Sequence, residues 1–218
     1  MGCGVPKQYL DLHGVPILAR TVQVFHDHPL INRIVITVPP ENEDFCRENV
    51  IIHARGAKPI DVVAGGSTRQ QSVFNGLKRL AETDVVAIHD GVRPLVTRDV
   101  IARTIHAAQH CGAALAAVRI KETVKRQTDG RLETIPRSDL WLAHTPQTFR
   151  SELIIEAHRR AAADGYEGTD DAALVERMGH PVELVEDSED NIKITTQRDL
   201  DLARILFRLG LHSSELMK

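Results

Sequence analysis

The chain has 218 residues, 42% hydrophobic and 26% charged, with a formal net charge of −3, which suits one globular domain with a buried core. The slightly acidic balance excludes a global basic field for nucleic acid or anionic membranes, so an anionic ligand has to be gripped locally. Cys3, Cys46 and Cys111 are odd in number and lack metal-type spacing, and the sequence has neither a basic-then-apolar leader nor an apolar run of about 18 residues, so reduced thiols and a cytoplasmic location are expected.

Gly4-Val5-Pro6-Lys7-Gln8-Tyr9-Leu10 sets a lysine where a helix is expected to begin. Pro6 suits a first helical position, because the N–H it lacks would have no partner there, and helix N-termini attract anions. An ordinary N-terminal helix with a solvated lysine fits the same residues. From Gln8 to Phe25 the positions Leu10, Leu12, Ile17, Leu18, Val22 and Phe25 have helical spacing, interrupted or restarted around Gly14-Val15-Pro16. Arg33 to Val38 reads as a buried strand stopped by Pro39 and Pro40, and residues 41–56 as a helix ending near Gly56. Asp61 to Ala64 is a strand running into Gly65-Gly66-Ser67-Thr68, after which Arg69 to Leu80 returns to helical spacing. Strand, glycine turn, helix is an arrangement that serves phosphates and nucleotides.

The pattern repeats. Asp84 to Ile88 is an apolar strand with His89-Asp90 at its carboxyl end, Thr97 can cap a helix ending near Gly112, and Ala113 to Val118 is another strand. Alternation at this pace predicts a mostly parallel sheet with helices on both faces, binding ligands beyond the carboxyl ends of its strands. At about 121–140 the rhythm changes: two β-prone segments flank Asp129-Gly130, a strong hairpin signal. Both are polar at alternate positions, which predicts an arm outside the main core, covered by a second subunit or folded back on its own sheet. Ser151 to Ala163 and Asp170 to Met178 read as helices, Pro181 to Val185 as a strand, and Thr196 and Asp199 as the capping box of a last helix.

A nucleoside triphosphate together with a phosphomonoester brings roughly five to six negative charges, which calls for cations and a divalent metal. Lys7, Arg93, Arg137 and Lys193 stand near predicted strand ends or loops, where most such residues are merely solvated. Asp90 ends an apolar strand, where a carboxylate is costly unless a metal, a cation or water receives it. Two readings of Asp90 fit: a metal or ligand contact, or a turn cap paired with Arg93.

The order of the motifs is family-specific. Gly4 to Leu10 (GVPKQYL), Gly65 to Leu77 (GGSTRQQSVFNGL), His89 to Pro94 (HDGVRP), Thr145 to Phe149 (TPQTF), Thr169 to Ala172 (TDDA) and Asn191 to Thr195 (NIKIT) follow one another over essentially the whole chain. This series resembles the 2-C-methyl-D-erythritol 4-phosphate cytidylyltransferase family. The resemblance implies a Rossmann-like α/β nucleotidyltransferase, a homodimer joined by exchanged β-arms, a CTP site and Mg2+. It also implies transfer of CMP to the phosphate of 2-C-methyl-D-erythritol 4-phosphate, with pyrophosphate released.

By the same resemblance, Lys7 and Lys193 hold the CTP phosphates and stabilise charge at the α-phosphate from opposite ends. Gly66 and Ser72 belong to the cytosine-reading loop, and Ser67 stands where some members have aspartate. Asp90 is placed near the metal or the substrate hydroxyls, with Arg93 supporting its loop. Thr123 and Arg137 on the arm match residues that reach the methylerythritol phosphate across the dimer, and Thr169 is a further candidate of that sort. The family pattern opens with a buried strand and an AAGxGxRMG loop, of which Met1-Gly2 is at most the end; a segment carrying them is expected upstream of Met1. Ribitol-5-phosphate cytidylyltransferase shares much of the motif series, and an inactive nucleotide-binding paralogue is the reading from another class.

Overall fold

The computed structural model describes residues 6–54, 56–80 and 83–210. Gly4 and Val5 of the first motif, Met1-Gly2 and Cys3 lie outside them.

Lys7–Tyr9 forms a single 3-10 turn rather than the start of a long helix. The chain then doubles back, with His13 and Gly14 at positive φ and Asp11 bridged to Pro16. Helix α1 begins only at Ile17 and runs to His26, flanked by Pro16. The helix expected from Gln8 onward is therefore corrected: two residues in the left-handed region cannot lie within a right-handed helix.

Strand β1 (Ile34–Val38) is followed by α2 (Glu43–Asn49), which has a 3-10 turn on either side, and then by β2 (Ile60–Ala64). α3 (Arg69–Leu77) is capped by the Thr68 side chain, which accepts from Gln71 N–H. β3 (Val85–Ile88) leads to α4 (Arg98–Cys111), capped by Thr97 and closed by Gly112 at φ 95°. Next come β4 (Ala113–Arg119), the hairpin β5 (Val124–Thr128) and β6 (Arg131–Ile135), and β7 (Trp141–Arg150). α5 (Ser151–Ala163), α6 (Asp171–Arg177), β8 (Glu183–Glu186) and α7 (Gln197–Arg208) complete the described chain. The Thr196–Asp199 capping box at the head of α7 is present.

β3, β4 and β8 run in one direction in a sheet ordered β3-β7-β4-β8, with β7 antiparallel to both neighbours. β1 and β2 form a separate parallel pair. Residues on β4 alternate between faces, as a strand's period of two requires. Ala113, Leu115 and Ala117 pack with Leu77, Phe149, Ile154 and Leu174 from α3, β7, α5 and α6. Ala114 meets Ala108 of α4 and Val185 of β8 on the other face. Helices thus cover both faces of the sheet. β1 and β3 are not paired with each other; both line one cavity of about 830 Å³, which α1 also lines through Leu18, Thr21, Val22 and Phe25.

The β5–β6 hairpin turns at Asp129-Gly130, both at positive φ, as a tight two-residue turn demands. Its side chains are mostly exposed, with Leu132 71% accessible.

Candidate functional site

Lys7, Arg69, Ser72 and Asp90 line the same cavity. Four local features bring them there. The 3-10 turn presents Lys7, β3 delivers Asp90 at its carboxyl end, and the glycine loop after β2 leads into α3, which carries Arg69 and Ser72. The segment before α7 brings Lys193 to the same carboxylate.

The glycine loop is folded onto the helix it precedes. Gly65 N–H donates to the Val38 carbonyl at 2.7 Å, and Gly66 N–H donates to Ser72 Oγ at 3.0 Å. Ser72 Oγ donates in turn to the Thr68 carbonyl at 2.9 Å, while Ser67 N–H and Oγ both donate to Gln71 Oε1. Gly66 is required here by close approach: a Cβ would sit 2.3 Å from Gln71 Cγ. Gly66 and Ser67 remain exposed, and Ser72 is half-buried.

Asp90 is ringed by cations. Lys193 Nζ is 3.0 Å and Arg93 Nε 3.5 Å from Oδ2, and Arg69 Nε is 3.6 Å from Oδ1. Burial alone would raise the Asp90 pKa; the charges of Lys193 and Arg69 outweigh it and hold the carboxyl below its ordinary value. Of the two sequence readings of Asp90, the pair with Arg93 is present; two further cations, Lys193 and Arg69, face the same carboxylate. Burial lowers the Arg93 pKa against the opposing pull of Asp90.

Behind Asp90 lies a hydrogen-bonded scaffold. Asp90 N–H donates to Thr145 Oγ1 at 3.1 Å, Thr145 Oγ1 is 3.0 Å from His89 Nδ1, and His89 Nε2 is 3.1 Å from the Arg93 carbonyl. Because a carbonyl only accepts, Nε2 carries the proton and Nδ1 accepts from the threonine. Burial pushes the His89 pKa down to about 4, so the ring is neutral at ordinary pH. Arg93 Nη1 donates to the Asn191 carbonyl at 2.6 Å, and Asn191 Nδ2 donates to the Thr145 carbonyl and to Asp187 Oδ2. These bonds anchor the Asn191–Thr195 segment, and thereby Lys193, to β3 and β7.

Arg69 extends the network away from the cavity. Its Nη1 donates to Asp171 Oδ2 at 2.8 Å, and Asp171, 1% exposed, places Oδ1 3.2 Å from His158 Nε2. Gln147 accepts from the N–H groups of Asp171 and Ala172 and donates to Asp170. The TPQTF motif thus earns its place by holding Asp90 through Thr145 and the head of α6 through Gln147.

Arg69, Thr145, Gln147, Asp171 and Asn191 belong to the network around Asp90 and were not singled out from the sequence. One signal pointed to Arg69: it is the first residue of α3, where the helix dipole disfavours a cation, so a nearby carboxylate was called for. Thr123, Arg137 and Thr169 do not line the cavity with Lys7. Thr123 and Arg137 are exposed beside and beyond the hairpin, Arg137 lining a separate recess with Lys121, Asp187 and Asp190. Thr169 is exposed two residues before Asp171.

A doubly covered, Rossmann-like sheet with a cation-ringed carboxylate at the end of β3, together with a glycine loop at the end of β2, defines a nucleotide-site α/β protein of the nucleotidyltransferase type. The family model described as IspD, 2-C-methyl-D-erythritol 4-phosphate cytidylyltransferase, matches residues 1–209. The enzyme of that name from Geobacter metallireducens is 46% identical over 213 residues, covering 95% of this chain and 92% of the relative. That from Syntrophus aciditrophicus is 47% identical, covering 93% and 88%. Among solved structures, 4-diphosphocytidyl-2C-methyl-D-erythritol synthase from Anaerococcus prevotii superposes with a TM-score of 0.86 at 30% identity, covering 95% of this chain and 92% of that one. The cytidylyltransferase from Thermus thermophilus gives 0.79 at 35% identity, covering 94% and 95%. The chain belongs to the 2-C-methyl-D-erythritol 4-phosphate cytidylyltransferase family.

Proposed function

We propose that the protein transfers CMP from CTP to 2-C-methyl-D-erythritol 4-phosphate, forming 4-diphosphocytidyl-2-C-methyl-D-erythritol and pyrophosphate in isoprenoid precursor synthesis. The observation that carries this reading is the family match across residues 1–209, met by Lys7 and Asp90 on one cavity and by Lys193 at 3.0 Å from Asp90.

The chemistry needs little proton transfer. A phosphomonoester with a second pKa of about 6 is largely dianionic at neutral pH, so the attacking oxygen requires no strong base. The enzyme's work is in-line positioning and stabilisation of charge on the α-phosphate. In this reading Lys7 and Lys193 grip the triphosphate, and Asp90 keeps Lys193 directed at it through their 3.0 Å contact. Gly66, Ser67 and Ser72 recognise cytosine through backbone groups and hydroxyls, and Arg93 keeps the Asp90 loop in place.

Mg2+ fits this donor set in one way. No group of three or more His, Cys, Asp or Glu side chains that could hold a metal occurs among the described residues. Mg2+ often binds through one or two carboxylates plus substrate phosphates. Asp90, kept ionised by its neighbours, is the carboxylate that would hold it. When bound, the ion would neutralise phosphate charge.

Thr123 and Arg137, which do not line the cavity of their own chain, are assigned to the methylerythritol phosphate of a partner's site, with Thr169 in a similar role. The β5–β6 arm is accordingly the dimer contact, and the exposed Leu132 supports that use. A cytoplasmic location follows from the substrates; no helix among the described residues is long and apolar enough to cross a membrane. Pyrophosphate release, measured side by side with the methylerythritol and ribitol phosphates, tests the reading. Turnover is expected with the former; equal or better turnover of ribitol 5-phosphate would replace the substrate, and CTP binding without turnover would indicate an inactive paralogue.

A further inference from the structure

We infer that Arg69 is a positioning residue for the transfer: its guanidinium bridges Asp90 to the buried Asp171 and so sets the direction in which Asp90 presents its other oxygen to Lys193. The inference rests on the CMP-transfer reading and adds a residue to it.

Three observations carry it. Asp171 is a fixed anchor, 1% exposed, with one oxygen on Arg69 and the other on His158, while its own N–H is bound by Gln147. His158 is itself held, stacked on Phe74 of α3 with an interplanar angle of 5°. The two Asp90 oxygens are divided, Oδ1 toward Arg69 and Oδ2 toward Lys193 and Arg93. Arg93 is not free to take over the Oδ1 side, because its Nη1 is committed to the Asn191 carbonyl at 2.6 Å. With Arg69 removed, Oδ1 has no ion-pair partner among the described residues, and the Lys193 and Arg93 contacts at Oδ2 are left alone to set the carboxylate's orientation.

Arg69 also heads the helix that carries Ser72, whose hydroxyl closes the glycine loop. The same guanidinium therefore ties the base-reading loop to the carboxylate at the phosphates. A guanidinium is suited to this because its planar fork addresses two carboxylates at once, whereas a lysine ammonium is a single point charge.

The test compares the full-length wild type with Arg69→Gln, Arg69→Lys, Lys193→Ala and the Arg69→Gln/Lys193→Ala double variant. Pyrophosphate release is measured with CTP, 2-C-methyl-D-erythritol 4-phosphate and Mg2+, with thermal unfolding in parallel. For Arg69→Gln, kcat should fall about 10- to 100-fold while KM for CTP changes less than about threefold, the signature of lost transition-state positioning. The double variant should be no more than about twofold slower than Lys193→Ala alone, because both substitutions act on one unit. Arg69→Lys should fold and remain at least about fivefold below wild type in kcat. An Arg69→Gln enzyme within twofold of wild type, or losses that multiply in the double variant, would overturn the inference. If Arg69→Gln does not fold, wild-type kcat in Arg69→Lys overturns it instead. A wild type that turns over while Arg69→Gln is unimpaired defeats the role of Arg69 alone; a wild type that releases no pyrophosphate defeats the activity and this inference together.

Discussion

Lys7 is exposed on a single 3-10 turn, so its side chain contributes little to folding while standing on the rim of the cleft. Lys7→Ala should reduce kcat by about 10²–10³-fold, the usual loss for one transition-state donor, while leaving stability within about 0.5 kcal/mol. Steady-state kinetics and thermal unfolding of the same preparation check both halves. His28 shows the opposite balance. It is 3% exposed, its Nδ1 accepts from Leu30 N–H and its Nε2 donates to the Arg98 carbonyl, so both ring nitrogens are committed to the neutral form. Burial lowers its pKa, with the bond to the Arg98 carbonyl opposing. The unfolded chain therefore binds the proton at higher pH than the folded one. Stability is full above the ordinary value near 6.5 and falls as pH drops through the window down to the lowered folded pKa, by at most about 1.4 kcal/mol per pH unit for this group. His89 acts in the same sense. Urea unfolding between pH 7.5 and 5 should show this slope in the wild type and a shallower one in His28→Gln. At this scale Lys7, Asp90, Arg93 and Lys193 were legible as residue types at strand ends and loops. The local Asp90–Arg93 pair was legible too, but the pairs with Lys193 and between Arg69 and Asp171 were not, because 103 residues separate Asp90 from Lys193 and 102 separate Arg69 from Asp171.

Among the elements, helix boundaries were legible where a capping side chain marked them: Thr97 and Thr196 each accept from a backbone N–H as expected, and Thr68, read only as the end of the glycine turn, caps α3 in the same way. Thr68→Ala should destabilise the protein by about 1 kcal/mol, measured by denaturant unfolding, because the Gln71 N–H loses its acceptor. Gly66→Ala presses a methyl against Gln71 and should break the Ser67–Gln71 contacts. An increase of about tenfold in KM for CTP is expected, equivalent to about 1.4 kcal/mol of binding. β7 was not legible. Pro146 lies inside it, and proline ordinarily argues against a central strand. The structure resolves the conflict at a register shift: Leu115 pairs with Gln147 and Ala117 with Ala143, so three β7 residues stand opposite one of β4. Pro146 is in that interruption, where no ladder hydrogen bond needs its missing N–H.

At the scale of the whole molecule, the arm and the cleft belong to different parts of the chain, and the proposed dimer is what unites them. If Arg137 serves the partner's site, Lys193→Ala and Arg137→Ala chains, each inactive alone, should complement when co-refolded. Random pairing makes half the dimers mixed, each with one intact site, so about a quarter of wild-type activity should return. Sedimentation analysis should show a dimer, and replacing residues 124–135 by a short glycine turn should yield monomers without activity. No recovery on mixing would place Arg137 outside the shared site.

By itself the sequence determined the order of strands and helices apart from β7, the hairpin, the caps at Thr97 and Thr196 and the motif series that marks the family, because each is written in short-range periodicity, turn chemistry or local spacing. Only the tertiary structure decided that Lys7 sits on a 3-10 turn ahead of a left-handed bend, and that β7 runs against its neighbours through a proline. It alone placed Arg69 between Asp90 and Asp171. Those outcomes depend on which distant groups share a low-dielectric interior: a buried carboxylate must find a cation and an interrupted strand must find its ladder, and neither partner is specified by the residues adjacent in the chain.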